Sequence, residues 1–309
     1  MNNPLVTVGV ASYNNGHYVC ETLESIRTQT YENLELIIVD DDSTDNSVQI
    51  IEQWLSNQPG LNALFIRHDN NRGVCAACNT ILNNSKGKYL CIVGSDDVYM
   101  PEKITQQVEV FSKLQSDYAV VYSGMYIIDK EGRGIGQNEV DGQVPSYIPA
   151  EGNIFELQLM YNRISAPSAM ILTQAVRDVG GYDENLSFED WDIWLRLSKR
   201  FKFKFSEFIS VKYRVLSSSA WNSRGAKFYE SCIKLLIKHL GFNAKNDNII
   251  LNHVREYAQL IYKLNGNNSA KWLRFAFIHK PKVKIFLLAT LATINIPYIY
   301  YEKLVNITK

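Results

Sequence analysis

Short apolar runs alternate with amphipathic segments through the first part of the chain. The runs occupy residues 5–11, 34–39, 61–67, 90–93 and 118–122. Because their apolar residues do not alternate strictly with polar ones, the runs are typical of strands buried on both faces. Between them apolar side chains recur at helical spacing, as at Ile51, Trp54 and Leu55. This pattern predicts an α/β fold, with a parallel sheet and helices on both faces.

The alternation of strand and helix ends after residue 123. The sequence then predicts a hairpin over 125–142 with its turn at 129–132, a helix over 155–162, a strand over 168–172, a helix starting near 189 and a strand over 203–215. From Gly225 onward the chain is helical in pattern. We therefore predict one domain over 1–220, with halves of about 1–123 and 124–220, and a helical C-terminal region over 221–309.

Charge and cysteine content narrow the class of protein. The 309 residues hold 32 basic and 32 acidic side chains, a balance that argues against nucleic-acid binding. The chain opens without the pattern of a signal peptide and has an odd number of cysteines, five, so we expect a cytoplasmic protein. Cys75 and Cys78 have redox or zinc spacing, but no second pair or nearby histidine completes a site. We expect both to be small apolar residues on a helix.

Acidic residues follow two strands of the predicted sheet. Asp40, Asp41 and Asp42 come after one strand, and Asp96 and Asp97 follow another. The carboxyl ends of parallel strands share an edge, which is where open α/β sheets bind ligands. Adjacent carboxylates need a countercharge, and a divalent cation (Mg²⁺ or Mn²⁺) bridging to a phosphate supplies one. The alternative is a solvated turn with a helix cap.

A third acidic site lies at the start of the helix near residue 189. The helix dipole stabilises negative charge in the first turn, so Asp190, beside Glu189, is expected to stay ionised. An ionised carboxylate there is able to accept a proton from a hydroxyl group. Trp191 offers a flat face of the kind on which sugar rings stack. The alternative is plain helix capping with both Trp191 and Trp194 in the core.

Two common nucleotide-binding patterns are missing. The loop after the first strand reads Ser-Tyr-Asn-Asn-Gly over residues 12–16, which lacks the G-x-G-x-x-G fingerprint of dinucleotide folds. The sequence also lacks a P-loop. A nucleotide would therefore be held through a metal and through contacts to its base.

Five segments together resemble glycosyltransferase family 2. They are residues 6–14 (Val-Thr-Val-Gly-Val-Ala-Ser-Tyr-Asn), 29–45 with its Val-Asp-Asp-Asp-Ser-Thr-Asp end, 71–73 (Asn-Arg-Gly), 94–97 (Gly-Ser-Asp-Asp) and 181–196 with Phe-Glu-Asp-Trp-Asp-Ile-Trp. The resemblance covers about residues 4–216. It implies the GT-A fold, which is Rossmann-like with a mostly parallel sheet, and an inverting, metal-dependent transfer from a nucleotide-diphosphate sugar.

The resemblance also implies roles for single residues. Ala11 and Tyr13 should lie at the nucleotide, with Asp41 accepting a hydrogen bond from the base. Asp96 should lie by the ribose or sugar, and Asp97 should ligate the metal.

On the acceptor side, Asp190 within the Glu189–Asp190 pair matches the general base of the family. Further expected contacts are Arg72 and Arg214 as cations for the donor, and Trp191 and Arg214 near the acceptor. This chain departs from the family at Cys78, where an arginine is frequent, and at Leu216, where a histidine is frequent, so a second protein ligand for the metal is not implied.

The function we predict is sugar transfer to a hydroxyl acceptor, a glycan or a lipid-linked one, in bacterial surface polysaccharide assembly. UDP- and dTDP-linked donors both suit the residues around Ala11, Tyr13 and Asp41. The acceptor is expected between the sheet edge and the stretch 125–152. Two alternatives stay open: a non-catalytic nucleotide-sugar binding module and a sugar nucleotidyltransferase.

The C-terminal region combines basic, aromatic and apolar residues over 269–301. Its apolar run, 285–296, is shorter than the ~20 residues a membrane-spanning helix needs. We expect peripheral contact with the cytoplasmic face of the inner membrane. The alternative is that these helices simply pack on the catalytic domain.

Overall fold

The protein is described by a computed structural model that covers residues 3–137, 150–216 and 225–307. The chain divides into two compact units. The sheet unit consists of Met1–Glu184 and Glu189–Leu216, and the helical unit consists of Asn185–Phe188 and Ser217–Lys309. The predicted boundary at residue 220 and the predicted hairpin end at residue 142 both fall outside the described residues.

The described part of the sheet unit contains nine strands, and all but one of them were expected from the sequence pattern. They are β1 Val6–Ser12, β2 Leu34–Asp40, β3 Ala63–Arg67, β4 Tyr89–Gly94, β5 Val98–Tyr99, β6 Tyr118–Ile128, β7 Gly134–Gln137, β8 Ala169–Leu172 and β9 Lys202–Arg214.

The nine strands form one mixed sheet in the order β3-β2-β1-β4-β8-β6-β9-β5, with β7 paired to β6. Strands β3, β2, β1 and β4 are parallel, β8 runs antiparallel to both β4 and β6, and β9 is parallel to β6. The long parallel strands therefore all end at the same edge, which confirms the predicted mostly parallel sheet.

Seven helices accompany this sheet. They are α1 Val19–Arg27, α2 Ser47–Ser56, α3 Val74–Asn84, α4 Lys103–Ser112, α5 Phe155–Met160, α6 Thr173–Asp178 and α7 Asp190–Ser198. The main core cluster joins even-numbered residues of β1 to α1, α2 and α4. Because successive strand residues point to opposite faces, Gly9 faces the other side, where it meets Ile81 of α3. Cys75 and Cys78 are buried on α3, as expected for small apolar residues.

Two elements, β5 and α6, were not expected from the sequence pattern. Both are short, at 2 and 6 residues, too short for a periodic signal. Strand β6 is also longer than the apolar run that predicted it. It continues through Ser123 and Gly124 to Ile128, and its pairing with β9 shifts register at these two residues. The strand predicted over 118–122 and the first arm of the hairpin predicted over 125–142 are therefore one strand.

The helical unit contains five helices within its described residues. They are α8 Ala226–Ile237, α9 Ala244–Lys263, α10 Ser269–His279, α11 Val283–Thr293 and α12 Tyr298–Ile307. The side chain of Asn243 caps α9 by accepting a hydrogen bond from the backbone N–H of Asn246 at 2.8 Å. Over the ranges the structure describes, no helix is both long enough and apolar enough to cross a bilayer.

The contact between Gly9 and Ile81 yields a stability prediction. A methyl group added at Gly9 would overlap the fully buried side chain of Ile81. We expect Gly9→Ala to lower the free energy of unfolding by about 1–3 kcal/mol in urea titrations, because overpacking forces side chains and backbone to shift. Gly60→Ala is the matched control, since a methyl group there meets no atom within 4 Å. Equal unfolding midpoints for the two variants would contradict this packing.

Candidate active site

The carboxyl ends of β2, β1 and β4 are linked side by side by backbone hydrogen bonds. The N–H of Asp41 donates to the carbonyl oxygen of Ser12 at 2.9 Å, and the N–H of Ser95 donates to that of Ala11 at 3.1 Å. The end of β1 therefore lies between the two acidic turns that the sequence places after β2 and β4. Both turns open at one edge of the sheet, as the sequence predicts.

The carboxylates of the acidic turn after β2 accept hydrogen bonds from their own loop and from the neighbouring one. The carboxylate of Asp40 accepts hydrogen bonds from the N–H and the hydroxyl of Ser43, at 2.8 and 2.7 Å. The carboxylate of Asp41 accepts from the N–H groups of Arg72 and Gly73, at 2.9 and 2.7 Å, and its Oδ1 lies 2.6 Å from Nδ1 of His68. Asp41 thus orders the loop before α3, and a nucleotide base would share a carboxylate that already has three partners.

Tyr13, the nucleotide contact predicted after the end of β1, is more exposed to solvent than Asp41. Tyr13 is 47% exposed, in the loop that follows the strand. Asn14, next to it, has a φ of 51°, and its Oδ1 accepts a hydrogen bond from the N–H of Thr44 at 2.8 Å. This bond ties the Tyr13 loop to the one after β2. The Arg72 side chain is half exposed, with one guanidinium nitrogen 3.5 Å from Glu184.

The acidic turn after β4 buries one carboxylate and leaves the other partly exposed. Oδ1 of Asp97 accepts a hydrogen bond from the N–H of Arg214 at 2.8 Å. Burial raises the pKa of Asp97 well above its ordinary value, and the charge of Asp96 raises it further. Burial also raises the pKa of Asp96. The charge of Arg214 lowers both pKa values but does not offset the effect of burial, so negative charge remains costly at this turn.

Arg214 stabilises this turn from the end of β9. Its Nε donates to the carbonyl oxygen of Asp96 at 2.9 Å, one terminal nitrogen lies 3.2 and 3.3 Å from the carbonyl oxygens of Asp129 and Lys130, and the other lies 2.6 Å from Glu21. The side chain is 2% exposed. The sequence predicts contacts of Arg214 with donor or acceptor; the structure instead uses its guanidinium to connect three parts of the fold, so that prediction is corrected.

The Glu189–Asp190 pair lies at the start of α7. Asp190 accepts hydrogen bonds from the side-chain amide of Asn162 at 2.7 Å and from the N–H of Trp191 at 2.6 Å. Burial raises the pKa of Asp190 to about 6, in spite of these bonds. Burial and the charge of Asp190 raise the pKa of Glu189 to about 8. Burial thus raises the pKa of both carboxyl groups, and it raises that of Glu189 further because the charge of Asp190 adds to it.

Trp191 is a core residue. It is 5% exposed, and its indole N–H donates to the carbonyl oxygen of Gln158 at 2.7 Å. Its ring is therefore not available to stack on a sugar, which corrects the prediction of an acceptor contact and favours the alternative interpretation. Trp194 is also buried, as expected, and donates to the carbonyl oxygen of Ile164.

One residue that the sequence patterns did not single out connects the two acidic pairs. Burial raises the pKa of the Tyr213 phenol, and four carboxylates raise it further. They are, in decreasing order of effect, Asp97, Asp96, Asp190 and Glu189. Two pairs far apart in sequence therefore act on one phenol. The signal for Tyr213 was its place beside Arg214 in the family's Tyr-Arg pattern, but only the pairing of β9 with β6 places it at the site.

The carboxylates after β4 suit a divalent cation. Oxygen ligands are those Mg²⁺ and Mn²⁺ prefer, and neither Asp96 nor Asp97 forms an ion pair with a lysine or arginine side chain of the described residues. Among the described residues, no cluster of three or more histidine, cysteine or acidic side chains is arranged to hold a metal. A cation at Asp97 would take its other ligands from water and substrate phosphates, as Mg²⁺ commonly does.

A model of the glycosyl transferase family 2 matches residues 7–180, more than half of the chain. The chain belongs to glycosyltransferase family 2. The match includes both acidic turns and ends before the Glu189–Asp190 pair.

Relatives and solved structures agree with this membership. The chain is 31% identical over 212 residues to an uncharacterised glycosyltransferase of Rickettsia felis, a match of 68% of this chain and 34% of that protein. It is 27% identical over 270 residues to Escherichia coli WfaP, a match of 85% of this chain and 94% of that one. WfaP is named UDP-Glc:alpha-D-GlcNAc-diphosphoundecaprenol beta-1,3-glucosyltransferase. The chain spans about a third of the length of the first curated relatives it matches.

Among solved structures, the fold is similar to that of Staphylococcus aureus TarS, residues 1–349, in complex with UDP-GlcNAc. The TM-score is 0.64 at 21% sequence identity, and the match covers 92% of this chain and 83% of that one. The similarity confirms the GT-A fold predicted from the sequence.

The Arg214 contacts yield a second prediction. We expect Arg214→Lys to lower the free energy of unfolding by about 3 kcal/mol, because an ammonium group cannot reach the three sites that the planar guanidinium joins. Urea unfolding measures the change. Arg133→Lys is the control, since Arg133 is 73% exposed and pairs with Asp129 and Glu131 on the surface of the hairpin. If the Arg214→Lys protein were as stable as the wild type, the contacts of the Arg214 guanidinium would not be needed to stabilise the fold.

Proposed function

We propose that this protein transfers a sugar from a nucleotide-diphosphate sugar to a hydroxyl acceptor, with inversion at the anomeric carbon. The observation that supports the proposal is that the acidic turns after β2 and β4 open at one edge of the sheet in a chain of glycosyltransferase family 2, with the charge of Glu189 close enough to raise the pKa of Asp97. The Asp96–Asp97 pair suits a cation and diphosphate, and in the proposed mechanism the Glu189–Asp190 pair offers an ionised base beside a neutral acid. Inverting transfer needs these two functions at one site.

On the acceptor side, Asp190 is the proposed general base. It takes the proton of the acceptor hydroxyl while that oxygen bonds to the anomeric carbon from the face opposite the leaving group. The bond from the anomeric carbon to the diphosphate oxygen breaks in the same step, and the nucleoside diphosphate leaves with the electron pair. Asn162 and the N–H of Trp191 hold the Asp190 carboxylate in one orientation. A protonated Glu189 adds no second negative charge against the incoming oxygen.

On the donor side, Asp97 is the proposed ligand of a divalent cation, Mg²⁺ or Mn²⁺. When bound, such an ion supplies positive charge to the diphosphate as it departs. Asp96 is proposed near the ribose or sugar, and Tyr13 and Asp41 near the base. The exposed ring of Tyr13 is free to lie against a base, and UDP- or dTDP-linked donors remain the favoured class.

The acceptor is proposed to be a glycan or a lipid-linked sugar of bacterial surface polysaccharide assembly. The name of the relative WfaP, whose acceptor is a sugar on diphosphoundecaprenol, supports this proposal. The predicted acceptor stretch 125–152 lies partly outside the described residues, because 138–149 are not described.

Products separate this proposal from the two alternatives. Release of nucleoside diphosphate supports sugar transfer, whereas release of pyrophosphate would indicate a nucleotidyltransferase. Donor binding without turnover would indicate a binding module.

The third prediction concerns the base. We expect Asp190→Asn to lower kcat by about 10²–10⁴, the usual contribution of a general base, with little change in donor affinity. The wild-type kcat/KM should fall about tenfold per pH unit below pH ~6, because Asp190, whose pKa is about 6, must be ionised to accept a proton. Steady-state assays of nucleoside diphosphate release measure both.

Asp178→Asn is the control for this series, because Asp178 lies at the exposed end of α6 and its carboxylate accepts a hydrogen bond from the side chain of Gln174. A folded Asp190→Asn protein with the wild-type rate would exclude Asp190 as the base.

The fourth prediction concerns the cation. We expect nucleotide sugars to raise the melting temperature of the wild type when Mn²⁺ is present, because a ligand that binds the native state stabilises it by mass action. Asp97→Asn should lose the Mn²⁺-dependent part of this shift. Thermal-shift scans across UDP-, dTDP- and GDP-linked sugars also identify the donor. An identical Mn²⁺-dependent shift in wild type and Asp97→Asn would remove Asp97 as the ligand.

A further inference from the structure

Helix α11 is apolar on two opposite faces. One face is buried among its neighbours in the helical unit, through Ile285, Leu288, Ala289 and Ala292. The opposite face is exposed and still apolar, through Val283, Phe286, Leu287 and Ile294. We call this exposed row the α11 stripe. A surface helix of a globular protein normally presents polar side chains on its outer face, so the stripe requires an explanation.

The stripe is continuous along the helix. Val283, Phe286, Leu287, Thr290 and Ile294 recur at helical spacing, so they lie on one face of the helix. Val283 is 87% exposed and Phe286 is 56% exposed. Ile278, at the end of α10, is 71% exposed, and the ring of Phe277 lies 5.3 Å from that of Phe286. Contiguous exposed apolar surface of this kind marks an interaction site, whereas single exposed residues do not.

Positive charge surrounds the stripe. From residue 266 to residue 301 the sequence contains no aspartate or glutamate, although the whole chain is balanced in charge. The same stretch contains Lys271, Arg274, Lys280, Lys282 and Lys284.

The start of the stripe carries the densest part of this charge. Lys282 and Lys284 are exposed and flank Val283. Lys280 is anchored to α9 through Asn248 and Asn252. Burial lowers the pKa of Lys280, and the charges of Arg255 and Lys282 lower it further. Cations therefore crowd the end of α11 at which the apolar row begins.

We propose that the α11 stripe lies in the interfacial layer of an anionic lipid bilayer, with Lys282 and Lys284 at the headgroups. Apolar side chains enter the boundary between headgroups and acyl chains, and basic residues beside them are attracted to anionic lipid. The 11 residues of α11 are about 16 Å long, which suits a helix lying in the surface and not one crossing it. This proposal does not rest on the proposed sugar transfer, and its test does not depend on the donor.

Charge favours this occupant over a second copy of the chain. A symmetric dimer through the stripe would bring Lys282 and Lys284 of both copies together, and like charges at an interface oppose association. The interfacial layer of an anionic bilayer accommodates the apolar row at the acyl chains and attracts the lysines to the headgroups.

Vesicle co-sedimentation of the full chain tests the proposal. Vesicles of phosphatidylglycerol and phosphatidylcholine in equal parts are compared with phosphatidylcholine alone, at low and high salt. We expect binding to the anionic vesicles that weakens with salt, because the Debye length falls from about 30 Å at 0.01 M to about 3 Å at 1 M. Lys282→Gln with Lys284→Gln should weaken partitioning about thirtyfold, since each lysine near such a surface contributes about fivefold.

The apolar contribution is tested by a matched pair. Leu287→Ser should weaken binding to anionic vesicles at least threefold, whereas Leu64→Ser should not. The two leucines are 45% and 43% exposed, but Leu64 lies on β3 of the sheet unit. Circular dichroism and urea unfolding confirm that each variant is folded.

Three results would overturn the proposal. They are equal sedimentation with anionic and neutral vesicles, unchanged binding in both the lysine and the Leu287 variants, and a dimer seen by light scattering that Leu287→Ser dissociates while vesicle binding is absent. The last result would assign the stripe to self-association.

Discussion

Buried carboxylates at the ends of strands, each satisfied by backbone N–H groups of a distant loop, are the interaction on which this site depends. Asp41 accepts from the N–H groups of Arg72 and Gly73, and Asp97 accepts from that of Arg214. A buried carboxylate without such donors would be strongly destabilising. Asp41 and Asp97, the expected nucleotide and metal contacts, thus also hold the surrounding loops in place. Substituting either residue is expected to change the stability of the fold as well as the activity, so both must be measured.

Burial also differentiates the acidic residues. Burial raises the pKa of Asp97, Glu189 and Asp190, and two hydrogen bonds oppose this effect at Asp190. In the proposed mechanism Asp97 binds a cation, Glu189 retains its proton and Asp190 takes the proton of the acceptor. These roles would follow from environment and not from residue type.

Much of the sheet unit could be predicted from sequence because its signals are local. Apolar runs marked β1, β2 and β4, and the acidic residues that follow them reach one edge by the geometry of parallel strands. Side-chain roles that depend on packing could not be predicted. Arg214 and Trp191 belong to motifs, but only the tertiary structure shows that both are turned inward. Tyr213 was missed for the same reason, because its position follows from a strand pairing with register shifts.

The position of Arg214 in the sequence has a consequence for synthesis of the chain. The hydrogen bonds of Arg214 to Asp97 and Asp96 join residues 117 and 118 apart in sequence. At a translation rate of about 5–20 residues per second, the acidic turn is made roughly 6–24 s before the residue that completes it. During that interval the strands β1 to β4 can pair, but the acidic turn after β4 still lacks the hydrogen bonds that Arg214 donates. The nascent chain is thus expected to pair the strands β1 to β4 first and to complete the hydrogen bonds of the acidic turn only after β9 has left the ribosome.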